Sequence, residues 1–173
     1  MATQPDSRTP RFGSDELRLP DALSGPLHAH LEDLRAKYLA SGWGNRVGFG
    51  ARPALVVIDM ARYWLDPSLH IGAPSKSVLE ATCSVLAAAR RAGIPIFFTS
   101  YAHDPDEPPS PRPQKLRMQI PEGAGDLFEL DPSLGRRASE KLIRKRCASA
   151  FKGTNFHEML ASLGVDTLIV TGV

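Results

Sequence analysis

Ala54-Leu55-Val56-Val57-Ile58-Asp59 is the stretch that decides the fold of this 173-residue chain. Five consecutive apolar residues, three of them β-branched, end at a carboxylate. Such a run is typical of a strand that is buried on both faces of a parallel sheet. Ligands bind beyond the carboxyl ends of these strands, so Asp59 occupies a position typical of catalytic groups. A carboxylate that caps a turn or a helix is the competing interpretation, and position alone does not separate the two.

The segments that follow this strand alternate between helical and strand patterns. Further strands are predicted at 94–99, 141–145 and 166–171, and helices at about 75–91 and 154–163, each helix ended by a glycine, Gly93 or Gly164. A long Pro-rich loop at about 102–122 follows the second strand. The order strand, helix, strand, loop, strand, helix, strand predicts an α/β fold, a doubly wound parallel sheet with helices on both faces.

Apolar spacing predicts which side chains the two helices bury. The first helix is expected to bury Val78, Leu79, Val85, Leu86 and Ala89. The second, capped by Thr154, is expected to bury Phe156, Met159, Leu160 and Leu163.

Three regions are expected along the chain. Residues 1–20 are rich in Pro, Ser, Thr, Arg and Asp and are predicted to be a mobile tail. Residues 21–52 are predicted to form a helix, with Asp21 as its candidate cap, and a glycine-rich link. The leucines of this helix fall near helical spacing, at Leu23, Leu27, Leu31, Leu34 and Leu39. Residues 53–173 then carry the α/β domain.

Composition narrows the class of protein. Lys and Arg total 21 against 19 Asp and Glu, so the net charge of +2 favours no polyanionic partner. The basic residues between 136 and 146 alternate with apolar ones and read as a solvated strand edge rather than a nucleic-acid stripe. Two widely spaced cysteines fit a reducing cytoplasm, and no apolar run predicts a signal peptide or a membrane span.

Lys145 is the second candidate for chemistry. It ends the third predicted strand, so it reaches the same sheet edge as Asp59, where it could stabilise the carboxylate charge and help lower the pKa of a neighbouring thiol. A surface lysine is the alternative interpretation. Cys147 could be a reactive thiol beside Lys145 and Arg146, but a small buried residue is the favoured interpretation, as it is for Cys83.

No cofactor or metal is predicted. His28 and His30 point to different faces of a helix, and His103 with Asp104 lacks a second histidine. The chain has no Gly-x-Gly-x-x-Gly after the first strand and no P-loop, which argues against nucleotide binding.

Taken in order, the motifs of the chain resemble the isochorismatase-like cysteine hydrolases, and within them the N-carbamoylsarcosine amidohydrolase branch. The motifs are Val56-Val57-Ile58-Asp59-Met60, Trp64, Lys145, Ala148-Ser149-Ala150-Phe151, Gly153-Thr154-Asn155 and Leu168-Ile169-Val170-Thr171-Gly172. The resemblance implies a Cys-Asp-Lys hydrolase that releases ammonia from a small amide or ureide such as N-carbamoylsarcosine, without metal or cofactor. It assigns Asp59 as the base that deprotonates the cysteine, Lys145 as its partner and Trp64 as a pocket-lining residue. It also implies a homo-oligomer, with the helix at 20–40 as the candidate contact.

The resemblance also shows where the chain departs from the family pattern. In the family, the strand ending in Thr-Gly is soon followed by a Thr and then the nucleophilic cysteine, whereas the sequence ends at Val173. Neither Cys83 nor Cys147 matches that position. Residues 53–173 are therefore expected to be the N-terminal portion of such a domain, with the fourth strand left as an apolar edge. Two alternatives are a non-catalytic module of the same fold that binds a partner, and, less favoured, an unrelated flavodoxin-like binding domain.

Overall fold

The computed structural model describes residues 19–46, 48–69, 71–102, 120 and 123–173. The tail predicted at 1–20 and the Pro-rich loop predicted at 102–122 fall almost wholly outside these residues. The chain forms two compact units, Met1–Gly48 and Phe49–Val173. Within the described residues, no helix has both the length and the apolar content that crossing a bilayer requires.

The described part of the first unit forms the helix α1 (Asp21–Ala40). Pro20 is its N-cap residue, so Asp21 lies in the first turn and the predicted capping role of Asp21 is wrong. A carboxylate in the first turn still interacts favourably with the helix dipole. All residues of α1 are exposed, and Lys37 pairs with Asp33 at 2.7 Å one turn away.

The second unit is built on a four-stranded sheet. Its strands are β1 (Pro53–Ile58), β2 (Ile96–Tyr101), β3 (Lys141–Lys145) and β4 (Thr167–Gly172). They are all parallel and lie in the order β3-β2-β1-β4, which confirms the predicted doubly wound sheet. The chain steps outward from β1 to β2 and β3, then returns to the other side of β1. Crevices at such a reversal are where ligands bind in open α/β sheets.

Helices cover both faces of the sheet. Besides the four-residue α2 (Arg62–Leu65), the unit contains α3 (Lys76–Ala92) and α4 (Phe156–Ser162). Short 3-10 turns occupy Ala124–Phe128 and Pro132–Leu134. Alternate residues of β1 point to opposite faces, so Leu55 and Val57 join the α3 cluster, while Ala54 and Val56 join the α4 cluster.

The buried stripe of α3 differs from its prediction. Val78 and Val85 are each 39% exposed, whereas Thr82 is 1% exposed and shares a hydrogen bond with Thr171 at 3.2 Å. The face that packs on the sheet runs through Leu79, Thr82, Cys83, Leu86 and Ala89, to one side of the two valines. Leu79, Leu86 and Ala89 are on the buried face as predicted, whereas Val78 and Val85 are not. The prediction from apolar residues omitted Thr82, a threonine whose hydroxyl has a partner and which occupies a core position.

The ends of α4 also differ in detail from their prediction. Asn155 is its N-cap residue, although the Thr154 hydroxyl does accept the Phe156 N–H at 3.2 Å. Leu163, expected on the buried face, is 51% exposed because the helix ends at Ser162. Phe156 and Leu160 are buried as predicted.

Candidate active site

A buried ion pair stands at the carboxyl end of the sheet. The Lys145 Nζ donates to Asp59 Oδ2 at 2.6 Å, and the two residues are 4% and 6% exposed. Asp59 follows β1 directly, and Lys145 is the last residue of β3. Since β2 lies between those strands, the lysine side chain reaches across the end of β2 to meet the carboxylate.

The lysine is held by a second contact near its own strand. Its Nζ also donates to the Ala148 carbonyl oxygen at 3.2 Å, so the turn after β3 helps to aim the ammonium group. Taking two charges out of water costs several kcal/mol for each ion, about as much as their attraction returns. A pair of this kind is therefore weak evidence for stability, and it marks a candidate functional site.

Thr99 completes the surroundings of the carboxylate. Its hydroxyl donates to Asp59 Oδ1 at 2.7 Å, and Thr99 is 1% exposed. The Asp59 N–H in turn points at the Thr99 carbonyl oxygen at 3.2 Å and at its hydroxyl oxygen at 3.3 Å. Both carboxylate oxygens thus face a donor. Thr99 was not among the residues predicted for the site, although it ends the strand that the sequence predicts at 94–99; in the structure it lies two residues before the end of β2.

The backbone at Asp59 turns sharply. Its φ is 51°, the only positive φ of a non-glycine residue in the part of the chain that the structure describes. The Ala61 N–H closes the turn by donating to the Asp59 carbonyl at 2.7 Å. Left-handed backbone is costly for most residues but accessible to Asp, and such strain often occurs at functional sites.

Trp64 lies on α2, five residues beyond Asp59 along the chain. Its indole N–H is buried and has no hydrogen-bond partner among the described residues. A buried donor without an acceptor costs about 1–3 kcal/mol, so its retention calls for an explanation such as a ligand. Trp64 was predicted as a pocket-lining residue by resemblance, but α2 was not predicted, because a helix of four residues is too short to show a sequence period.

Aromatic rings pack beside this short helix. Tyr63 contacts Trp64 edge to face with ring centroids 5.2 Å apart, and Phe128 lies 4.8 Å from Tyr63 and 5.1 Å from Tyr101. Burial raises the pKa of the Tyr63 phenol above its ordinary value, and the nearby Tyr101 phenol raises it further. Tyr63 therefore stays neutral over the physiological pH range. It contributes ring packing and a hydroxyl dipole to this region rather than a charge.

The remaining candidates do not join the ion pair. Cys83 is partly buried in the α3 cluster, with its sulfur 3.7 Å from the Ser133 carbonyl oxygen. Cys147 is half-buried in the turn after β3. His28 and His30 are exposed on α1, and His103 and Asp104 lie outside the described residues. Among the residues that are described, no three His, Cys, Asp or Glu side chains form a cluster that could hold a metal ion.

Comparisons with known proteins agree on one family. The family model named Isochorismatase domain matches residues 53–173. An N-carbamoylsarcosine amidase from an Arthrobacter species is 30% identical over 142 residues, covering 78% of this chain and 54% of that protein. A maleamate amidohydrolase from Pseudomonas putida is 30% identical over 135 residues, covering 75% of this chain and 63% of that protein. The chain thus spans just over half to just under two thirds of these relatives.

Solved structures lead to the same fold. The crystal structure of an N-carbamoylsarcosine amidase from Thermoplasma acidophilum matches with a TM-score of 0.60 and 26% identity, covering 70% of this chain and 67% of that one. The match supports an isochorismatase-like α/β fold for this chain.

Proposed function

Because the chain belongs to the isochorismatase domain family, we propose that the protein carrying it hydrolyses a carbon–nitrogen bond, amide or carbamoyl, of a small molecule and releases ammonia. The observation that carries this proposal is the buried Asp59–Lys145 pair at the carboxyl end of the sheet. The names of the two relatives, an N-carbamoylsarcosine amidase and a maleamate amidohydrolase, support ureides and small amides as the substrate class.

In the proposed reaction, Asp59 takes the proton of a cysteine thiol, and the resulting thiolate forms a bond to the carbonyl carbon. The carbon–nitrogen bond then breaks, and the proton held by Asp59 passes to the leaving nitrogen, which departs as ammonia. Water cleaves the thioester that remains and restores the thiol. Lys145, at 2.6 Å from Asp59, holds the carboxylate in place and offsets its charge. The step requires neither metal nor cofactor.

The nucleophile in this proposal is a cysteine that would follow β4, as it does in the family pattern. By resemblance, neither Cys83 nor Cys147 occupies the family's nucleophile position. The carboxyl end of β4 lies beside that of β1, where Gly172 is paired with Ile58, the residue before Asp59. A residue that follows β4 would therefore lie at the carboxyl end of the sheet, next to Asp59, the proposed base.

Trp64 is proposed as a substrate contact. Its buried indole N–H has no partner among the described residues, and a carbonyl or carboxylate oxygen of a small amide would satisfy it. An apolar pocket with a few well-placed polar groups is the usual form of a small-molecule site.

The protein is further proposed to be a cytoplasmic homo-oligomer. The exposed leucines of α1 support self-association, since Leu23, Leu27 and Leu31 are each more than 40% exposed on one helix. Its two cysteines are unpaired, as a reducing compartment would keep them.

The test is ammonia release by the full-length protein, meaning this chain with the sequence that adjoins it in its gene, on a panel of small ureides and amides. Asp59→Asn should abolish turnover because the amide cannot accept the thiol proton, and Lys145→Ala should lose it because the carboxylate loses its partner. Silence of the wild-type protein across the panel would favour the alternative of a non-catalytic module on the same fold.

Asp166→Asn supplies a matched control for the carboxylate substitution. Asp166 lies just before β4, at the amino end of that strand, whereas Asp59 lies at the carboxyl end of the sheet. The Asp166 carboxylate accepts hydrogen bonds from the N–H groups of Ala51 and Arg52 at 2.9 and 3.0 Å. The same chemical change there should leave turnover intact. Normal turnover by Asp59→Asn would show that Asp59 is structural and would overturn the mechanism.

A further inference from the structure

We propose that Thr99 is a positioning residue for the reaction, and that its hydroxyl sets the orientation of the Asp59 carboxylate. This inference rests on the proposed function for its kinetic consequence, but its geometric content stands on the contacts at Asp59 alone. The hydroxyl donates to Oδ1 at 2.7 Å, while Lys145 donates to Oδ2 at 2.6 Å.

The direction of the Thr99 proton follows from the local geometry. The Asp59 N–H points at the Thr99 hydroxyl oxygen at 3.3 Å, so that oxygen is an acceptor on this side. The hydroxyl proton is therefore left to point at Oδ1, 2.7 Å away. Thr99 is 1% exposed, so water cannot readily take its place as the donor.

Two donors on two different oxygens fix the carboxylate more tightly than one donor can. With Lys145 alone, the group could rotate about its Cβ–Cγ bond and present either oxygen to the ammonium. Terminal torsions of this type are broad and have few intrinsic barriers. Thr99 removes that freedom by holding Oδ1 against β2.

A fixed carboxylate matters for proton transfer. Each carboxylate oxygen can accept more than one hydrogen bond, so a free acceptor direction remains on Asp59 after both contacts are made. A base works only when the proton that it receives lies within hydrogen-bond reach in the right direction. A misplacement of about 1 Å can cost on the order of 100-fold in rate.

The test compares Thr99→Val with Thr99→Ser in the full-length protein. Valine keeps the shape and removes the hydroxyl, whereas serine keeps the hydroxyl and removes the methyl group. We expect Thr99→Val to lower kcat by roughly 10- to 100-fold with KM unchanged, and Thr99→Ser to restore kcat. In crystal structures, the Asp59 carboxylate should be rotated or split between conformers in Thr99→Val and unchanged in Thr99→Ser.

Thr82→Val is the matched control. Thr82 is equally buried at 1% exposure, and its hydroxyl pairs with that of Thr171 at 3.2 Å instead of with Asp59. Thr82→Val also loses a buried hydroxyl hydrogen bond, so its free energy of unfolding should fall by a similar amount. It should leave the Asp59 conformation and kcat unchanged.

The outcomes separate the two proposals. An unchanged Asp59 conformation in Thr99→Val would overturn the role of Thr99, whether or not the protein is an amidase. A loss of kcat in Thr99→Ser as large as in Thr99→Val would also overturn it, because the methyl group would then be responsible. A wild-type protein that releases no ammonia contradicts the proposed function, and the crystal structures still decide the position of the carboxylate.

Discussion

Gly172 shows how closely the backbone is packed at the residue that precedes Asp59. Gly172 has a φ of 120°, and a Cβ built there would lie 2.1 Å from the Ile58 carbonyl oxygen and 2.7 Å from the Ile58 nitrogen. These neighbours are backbone atoms, so they cannot turn aside as a flexible side chain could. The glycine at the end of β4 therefore has a steric explanation, independent of any role in binding.

Gly172→Ala is predicted to lower the free energy of unfolding by about 1–3 kcal/mol through overpacking, in addition to the strain of its φ. In the proposed reaction, turnover should fall together with stability, because the displaced residue, Ile58, directly precedes Asp59. Gly93→Ala is the matched control, since Gly93 at the end of α3 also has a positive φ, 67°, but nothing lies within 4 Å of its Cβ position. Denaturant unfolding of both variants measures the difference, and equal losses would contradict the steric account.

Glu140 links two elements that lie far from the ion pair, α3 and the segment that leads into β3. Its carboxylate accepts Arg90 Nε at 2.7 Å, Arg90 Nη2 at 2.8 Å and the Arg137 N–H at 2.7 Å. Burial by itself raises the pKa of Glu140, but the hydrogen bonds from Arg90 and Arg137 outweigh it and hold the pKa below its ordinary value of 4.5. This carboxylate therefore stabilises the fold above that value, and its contribution is lost as the pH falls through the lowered pKa.

Glu140→Gln is predicted to lower the free energy of unfolding at neutral pH by about 3 kcal/mol, because Arg90 loses its buried counter-charge. The variant should also lose less stability than the wild type on acidification, since the titrating group is gone. Asp166, whose pKa is also lowered, leaves some acid sensitivity in both proteins. Urea unfolding at neutral and acid pH checks this. Glu129→Gln is the control, because its pair with Arg144 leaves the Glu129 side chain 60% exposed and should matter little.

At the level of elements, continuous and periodic apolar patterns predicted the strands and the long helix α3. The short helix α2 and the burial of a single polar residue, Thr82, were not predicted. The unbroken apolar run of β1 and the pattern of β3 placed those strands within one residue, and Gly93 marked the end of α3. The four-residue α2 has no period to detect. The burial of Thr82 was not predicted because a threonine is polar by sequence, and its hydroxyl partner Thr171 is brought opposite it only by the fold.

The same limit applies to the candidate site. Asp59 and Lys145 could be proposed because each ends a predicted strand, and carboxyl ends of parallel strands share one edge. Thr99 could not be assigned to the site from the sequence alone, because its contact with Asp59 depends on the strand order, which places β2 between β1 and β3. The left-handed φ of Asp59 and the buried indole N–H of Trp64, which has no partner among the described residues, are properties of the folded backbone and its packing, and no sequence pattern encodes them directly.

The whole molecule brings together two charges that are 86 residues apart in the chain. Three strands must assemble in register before Lys145 can reach Asp59, so the pair forms only with the completed sheet. Forming a contact of such long range closes the intervening chain into a loop, which costs conformational entropy. Buried ion pairs can often be replaced by hydrophobic residues without loss of stability, so a pair that is assembled at this cost is more readily explained by function than by folding.

A double-mutant cycle on Asp59 and Lys145 tests that explanation. Asp59→Asn and Lys145→Met should each cost about 3–5 kcal/mol in free energy of unfolding, because each leaves the other charge buried and unpaired. The double variant has no buried charge to strand, so it should be at least as stable as either single variant, and the two effects should be far from additive. In the proposed reaction, all three variants should nevertheless be inactive. Additive losses, or a double variant much less stable than both single variants, would mean that the ion pair holds the sheet together and that its presence at the edge says little about catalysis.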